Sequence, residues 1–113
     1  MEIIKDGITI EELKNLAQSK FGNFVKAVVD VEKGMMVVDA ELHADEEAYL
    51  LEKGSQSKAL WGINIYPGLK NEEWIEYDSM VNLKPAQGNR TRGIDDPEIR
   101  EKIIKIVSGL VKQ

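Results

Sequence analysis

Two arginines stand close together in a loop without acidic residues, in a chain that is acidic as a whole. Residues 84–93 read KPAQGNRTRG and contain Arg90 and Arg92 but no carboxylate. Arginine presents a planar fork of donors that matches a carboxylate or a phosphate at two points. Two glycines let the backbone N–H groups converge, and a helix start predicted at Asp96 would favour an anion nearby. We therefore interpret Asn89, Arg90 and Arg92 as candidate ligand-binding residues for an anion.

The same loop has a purely structural interpretation. The phosphate-loop pattern GxxxxGK[ST] is absent, and carboxylates of the chain itself surround the predicted helix start. Asp95 and Glu98 are close in sequence and can accept hydrogen bonds from either arginine. In both interpretations the guanidinium group of an arginine binds a negatively charged group. The two interpretations differ in whether that group belongs to a ligand or to this chain.

A second candidate is an acidic stretch around the single histidine. Residues 39–52 contain six carboxylates and His43 but no Lys or Arg. If the preceding strand continues to His43, then Asp39, Glu41 and His43 share one strand face. This set could ligate a divalent metal, and His43 with Glu41 could act as a catalytic acid–base pair.

The acidic stretch also has a plainer interpretation, as a solvated strand end followed by an acidic helix start. It lacks HExxH, an EF-hand loop and a second histidine. No cofactor is therefore expected, and a divalent metal enters only with the enzymatic alternative.

A polar patch is predicted on the sheet face that the helices would leave uncovered. Alternation along two predicted strands, 60–67 and 74–83, places apolar side chains on one face and polar ones on the other. The polar members of the patch are Asn64, Tyr66, Asp78 and Asn82. This surface would lie near His43 and would suit either a ligand or a second copy of the chain in a homodimer.

The remaining elements follow from capping and periodicity. Thr9 and Glu12 form a capping box before a helix at about 10–21. Two β-rich runs flank a short loop at 32–34 and predict a hairpin. A short helix is expected at about 45–53, and Asp96 with Pro97 begins a final amphipathic helix. We predict an α+β fold in which the first and last helices pack on one face of a mostly antiparallel sheet of about four strands, a two-layer sandwich.

Composition limits the class of protein. The chain has 113 residues, which suits a single domain over 1–113, and it has no cysteine for disulfides or thiolate sites. Its net charge of −5 argues against nucleic acid as a partner. No apolar run approaches the roughly 20 residues that span a membrane. We expect no signal peptide, no membrane association and a cytoplasmic location.

Several uncommon phrases occur in order along the chain: VVDVEKGMM, ELHADEEAYLLEKGS, LWGINIYP, IEYDSMVNLKP and GNRTRGIDDPEIREKI. In these phrases the chain resembles a family of small prokaryotic proteins, domain of unknown function 5674, over nearly its whole length. The resemblance implies a free-standing cytoplasmic domain from a bacterium or archaeon. It supplies no activity, cofactor or catalytic residue.

Two function hypotheses result. In the first, the loop at 86–96 and the polar sheet face bind an anionic small molecule or an acidic protein segment. In the second, the protein is a small enzyme that uses His43 with Asp39, Glu41 or Asp78. The first is favoured because only the arginine loop collects several suitable groups within a short stretch.

Overall fold

The computed structural model describes all residues, 1–113, as three helices around a five-stranded antiparallel sheet. The elements are β1 (Glu2–Ile4), β2 (Ile8–Thr9), α1 (Ile10–Lys20), β3 (Val25–Asp30), β4 (Met35–Val38), α2 (His43–Glu52), β5 (Leu60–Ile65), β6 (Ile75–Glu76), α3 (Pro97–Leu110) and β7 (Val111–Lys112). The main sheet has the order β1-β4-β3-β5-β6, and β2 pairs with β7 separately in parallel. The predicted α+β class is confirmed, with five strands where about four were expected.

Helices α1 and α3 begin where their capping residues predict. Thr9 Oγ1 accepts from the Glu12 amide at 3.0 Å, and Glu12 Oε1 accepts from the Thr9 amide at 3.1 Å. This capping box satisfies backbone donors that have no partner within the helix. Asp96 caps α3 by accepting from the Glu98 amide at 2.9 Å, and Pro97 is its first residue. No helix of the chain is both long and apolar enough to cross a membrane.

The predicted hairpin is formed by β3 and β4. Its turn includes Gly34, whose φ of 68° lies in the region that favours glycine. The buried carboxylate of Asp30 holds the turn, since Oδ1 accepts from the amides of Glu32 and Lys33, each at 2.9 Å. Its Oδ2 accepts from the Ser55 hydroxyl at 2.6 Å, which also ties the turn to the chain after α2.

The prediction that the β4 strand reaches His43 is wrong. β4 ends at Val38, and Asp39 turns the backbone with a φ of 73°. Leu42 is 55% exposed, and α2 begins at the next residue, His43. The period-two argument that placed Asp39, Glu41 and His43 on one strand face therefore does not apply.

The predicted strand at 74–83 is also mostly absent. Only Ile75 and Glu76 pair with β5 as β6, and the chain then leaves the sheet. A 3₁₀ turn follows at Met80–Asn82, where Met80 is 61% exposed. The expected apolar row that included Val81 and Leu83 does not form.

The first and last helices cover one face of the sheet, as predicted. Leu13 of α1 and Ile103 and Val107 of α3 are fully buried against Val29 and Ile63 of the central strands. Seventeen buried residues form this principal core. Trp61 of β5 also belongs to this core.

The opposite face is not bare, which corrects the two-layer arrangement. Leu50 of α2 packs on Val28, Val37 and Leu60 in a second apolar cluster of five buried residues. The segment after β6 covers the β5 end of this face. The open polar surface that was expected to bind a ligand or a second copy is thus largely occupied by the chain itself.

Candidate functional site

The arginine loop is built around the buried side chain of Asn89. Its amide Nδ2 donates to the carbonyls of Asn82 at 2.7 Å, Gly93 at 2.8 Å and Thr91 at 3.2 Å. Its Oδ1 accepts from the Asp95 amide at 2.8 Å. Asn89 is only 4% exposed, so this predicted ligand-binding residue instead fixes the backbone of the loop that carries Arg90 and Arg92.

Asn82 is another predicted member of the polar patch. Its side chain makes the hydrogen bonds to β5 that the backbone of a neighbouring strand would otherwise make. Its side chain accepts from the Gly62 amide at 2.8 Å and donates to the Gly62 carbonyl at 3.0 Å and to the Arg92 carbonyl at 2.9 Å. Gly62 permits this approach, because a Cβ there would stand 2.6 Å from Ser79 and 2.8 Å from Val81. Asn82 is fully buried and is closed to ligands.

Arg92 has a partner within the chain. Its Nε donates to Asp78 Oδ1 at 2.6 Å, and the two side chains are 54% and 47% exposed. The partner of Arg92 is therefore a carboxylate of this chain, but it is Asp78 and neither Asp95 nor Glu98, nor a carboxylate of the 39–52 stretch. Arg90 is exposed and makes neither a salt bridge nor a side-chain hydrogen bond.

Lys84, the third cation of the loop sequence, is committed elsewhere. Its Nζ donates to the Ser57 carbonyl at 3.0 Å and lies 5.5 Å from the centre of the Trp61 ring. Partial burial lowers the pKa of Lys84 below its ordinary value. This lysine attaches the loop to the segment before β5 and does not extend the exposed cationic surface.

The start of α3 does not complete an anion site. A cleft of about 380 Å³ beside it is lined by Asp95 and Asp96 together with Trp61 and Asn89. Neither arginine lines this cleft. The two carboxylates occupy the position where an anion would gain from the helix terminus. The candidate cationic surface consequently consists of Arg90 with the Arg92–Asp78 pair, away from this cleft.

The polar residues of β5 and β6 form a short hydrogen-bonded chain. Asn64 Nδ2 donates to Glu76 Oε1 at 2.8 Å, and the Tyr66 hydroxyl donates to the same oxygen at 3.2 Å. Asn64 is 6% exposed, and its Oδ1 is buried without a partner. Of the predicted patch, Tyr66 and Asp78 stay partly accessible, whereas Asn64 and Asn82 are enclosed.

His43 lies at the first turn of α2 and faces the sheet. Its Nε2 is 2.7 Å from the Ile63 carbonyl, and a carbonyl can only accept, so Nε2 carries a proton. Burial lowers the pKa of His43, and its ring is neutral at pH 7. In that tautomer Nδ1 holds the lone pair, and the charges of Asp78 and Arg92 act on the ring with opposite signs.

The acidic residues before α2 do not join His43 in a metal site. Asp39 Oδ1 lies 3.0 Å from Lys20 Nζ, and exposed Glu41 lines a cleft of about 480 Å³ with Asp39 and Asp45. No three His, Asp or Glu side chains in the chain are grouped so that they could hold a metal ion. The set Asp39, Glu41 and His43 is thus not brought together, nor is the pair His43 and Glu41 in one cleft.

Sequence reasoning missed the most unusual titratable group, Glu46. It is fully buried, and neither carboxylate oxygen makes a hydrogen bond of good geometry, although the backbone of Ala40 acts on the carboxyl in the direction that lowers its pKa. Burial raises its pKa to about 9, so the group is protonated at neutral pH. The signal in the sequence was the spacing of His43, Glu46 and Leu50, which puts all three on one helix face. The acidic run concealed it, because such runs are usually solvated.

Comparison with known proteins finds one family model. The model described as "Protein of unknown function (DUF5674)" matches residues 2–110. No curated protein matches the chain, and no solved structure does.

Proposed function

The chain belongs to the protein family of unknown function DUF5674, and on that premise we propose that it is a binding domain for an anionic small molecule or an acidic protein segment. The proposed surface is the loop at 86–96, with Arg90 as the primary contact. Arg92 provides a second cation that Asp78 positions.

The observation that carries the proposal is an exposed, unpaired Arg90 on a loop fixed from within. Asn89 immediately before it makes four hydrogen bonds to the loop and its surroundings. Binding to a loop that is already ordered loses less conformational entropy than binding to a mobile one. A free guanidinium in a chain of net charge −5 is placed for a negative partner.

Arg92 retains binding capacity despite its ion pair. Only Nε contacts Asp78, and the terminal guanidinium nitrogens make no hydrogen bond within the chain. Those nitrogens can donate to a carboxylate or phosphate held by Arg90. Since both members of the pair are about half exposed, the pair itself contributes little to stability.

The test is a ¹H–¹⁵N NMR titration with two probes, inorganic phosphate and a hexaglutamate peptide. We expect saturable shifts of the amides at 88–93 with at least one probe. Replacement of Arg90 and Arg92 by alanine should weaken binding by about tenfold or more, since each lost charge-assisted hydrogen bond contributes about 1.5 kcal/mol or more. The midpoint of thermal unfolding should change little.

The matched control is Lys102→Gln, which removes an exposed cation from the middle of α3. It should bind both probes as the wild type does. Shifts that are equal in the control and in the double variant, or that lie outside the loop, would contradict the proposal. The two probes separate a small anion from an acidic segment as the ligand.

A second candidate function is acid–base catalysis by His43. It is supported by the fixed tautomer, in which Nε2 contacts the Ile63 carbonyl and Nδ1 makes no hydrogen bond. A neutral imidazole with a free lone pair is the form required of a general base. In this proposal Asp78 replaces Glu41 as the nearby carboxylate. Burial and the charges of Lys26 and Arg92 lower the pKa of the ring, whereas the charge of Asp78 raises it.

Hydrolysis of p-nitrophenyl acetate at pH 7 tests this second function. A rate above that of buffer which disappears in His43→Gln would support it. Equal rates for the wild type and His43→Gln would contradict this second function.

A further inference from the structure

One cleft on the helical side of the molecule is lined by basic side chains, although the chain as a whole is acidic. It has a volume of about 540 Å³ and lies between α1, α3 and the turn after β5. Lys14 and Lys70 line it, and its eleven lining residues include no Asp or Glu. It shares no residue with the arginine loop.

Two adjoining clefts continue this surface. One of about 180 Å³ shares Lys14, and another of about 540 Å³ shares Trp74 and adds Arg100. Glu72 is the single acidic side chain along all three, against the three basic side chains of Lys14, Lys70 and Arg100. The whole chain has 20 acidic and 15 basic residues, so this surface reverses the balance of the protein.

The floor of the principal cleft is apolar. Ile10, Trp74 and Val111 line it and are partly buried, and Trp74 and Val111 also pack against the principal core. The turn that carries Lys70 is held at its base, since the Tyr66 amide donates to the Trp74 carbonyl at 2.7 Å. Asn71 follows Lys70 with a φ of 62°, an uncommon conformation for a residue other than glycine. An apolar floor with cations at its rim is thus present without any ligand-induced change.

We propose that this cleft binds a small amphipathic anion, whose flat apolar body packs on Trp74 and whose carboxylate or phosphate lies between Lys14 and Lys70. The volume is in the range of small-molecule sites. A tryptophan ring offers a large apolar surface, and Asn71 and Ser108 supply further hydrogen-bonding groups at the rim. This site is separate from the arginine loop and does not depend on the function proposed for that loop.

The experiment compares two probes with the same ring, 1-naphthoate and 1-naphthalenemethanol, by titration of tryptophan fluorescence and of ¹H–¹⁵N spectra. The wild type should bind the charged probe at least tenfold more tightly than the neutral one, with amide shifts at 67–74. Lys14→Gln combined with Lys70→Gln should reduce that preference to about twofold or less. Both lysines are exposed, so the variant should remain folded.

Lys58→Gln is the matched control, because Lys58 is exposed and lines none of the three clefts. It should retain the full preference for the charged probe. Equal binding of the two probes, an unchanged preference in the double variant, or no binding of naphthoate at millimolar concentration would each overturn the proposal. Competition by 1-naphthyl phosphate and by inorganic phosphate then shows which head group is preferred and whether the ring is required.

Discussion

The two faces of the sheet are covered through different kinds of interaction. On the face covered by α1 and α3, seventeen buried residues pack as one apolar core. On the face covered by α2 and the segment after β6, the apolar cluster has five buried residues. Much of the remaining closure there comes from side chains that bond to backbone, with Asn82 on Gly62 and His43 on Ile63 as the principal contacts.

This difference separates the part of the molecule that specifies the fold from the part that carries polar groups. Apolar packing is non-directional, and it tolerates exchange of one hydrophobic residue for another. A buried amide that bonds to one peptide group requires its own geometry and its own residue. The second face therefore holds Asn64, His43 and Glu46 in fixed environments, and the arginine loop lies against its edge.

The largest loss of stability should come from a substitution on the face covered by α1 and α3. Ile103→Ala removes a fully buried side chain of α3 and should lower the free energy of unfolding by about 4 kcal/mol. Ile104→Ala is the matched control on the same helix, because Ile104 is 45% exposed, and it should cost less than about 1 kcal/mol. Urea denaturation measures both, and similar losses would mean that α3 is not packed as described.

The next effect tests closure of the polar face by one amide. Asn82→Ala leaves the N–H and C=O of Gly62 without partners, and we expect a loss of about 3 kcal/mol in the free energy of unfolding. Hydrogen exchange should show faster exchange of the Gly62 amide. Asn23→Ala, at an exposed position, is the control and should be close to neutral. A loss below about 1 kcal/mol for Asn82→Ala would show that water replaces the amide without penalty.

Sequence predicted the apolar face well because its determinants are local. The Thr9 capping box, the Gly34 turn and the Asp96–Pro97 helix start each act within a few residues. The periodicity of α3 then fixes which side chains face the sheet. These features predict both helices of this face, the hairpin and the antiparallel sheet.

The polar face could not be predicted in the same way because its determinants are distant in sequence. The 74–83 segment alternates like a strand, but Asn82 supplies the hydrogen bonds that a strand would give Gly62, twenty residues away. Asp39 adopts a positive φ that propensity does not favour for a non-glycine residue. Because β4 ends before Asp39, His43 lies on the buried face of helix α2 and not on the exposed strand face that was predicted. The internal partners predicted for the arginines, Asp95 and Glu98, were chosen because they are close in sequence, whereas the partner of Arg92 is Asp78, fourteen residues away.

The smallest of the three predicted changes in stability depends on pH. It arises from Glu46, the buried carboxyl on the face covered by α2. The pKa of Glu46 is about 9 in the folded chain and 4.5 in the ordinary, solvated state. Between these values the unfolded chain releases the proton and the folded chain keeps it, so Glu46 lowers stability progressively as pH rises from 4.5 towards 9. At about 1.4 kcal/mol per pKa unit, the contribution of Glu46 to the free energy of unfolding should fall by roughly 2 to 3 kcal/mol between pH 5 and pH 7.

Glu46→Gln removes this titration and keeps the shape of the side chain. The variant should therefore gain stability relative to the wild type as pH rises from 5 to 7, measured by urea denaturation at each pH. Glu32→Gln, at an exposed position in the hairpin turn, should follow the wild-type curve. Parallel curves for Glu46→Gln and the wild type would mean that the carboxyl reaches water or a cation in solution. In that case both faces of the sheet would be closed without a buried acid, and α2 would not lie as close to β3 as its apolar contacts require.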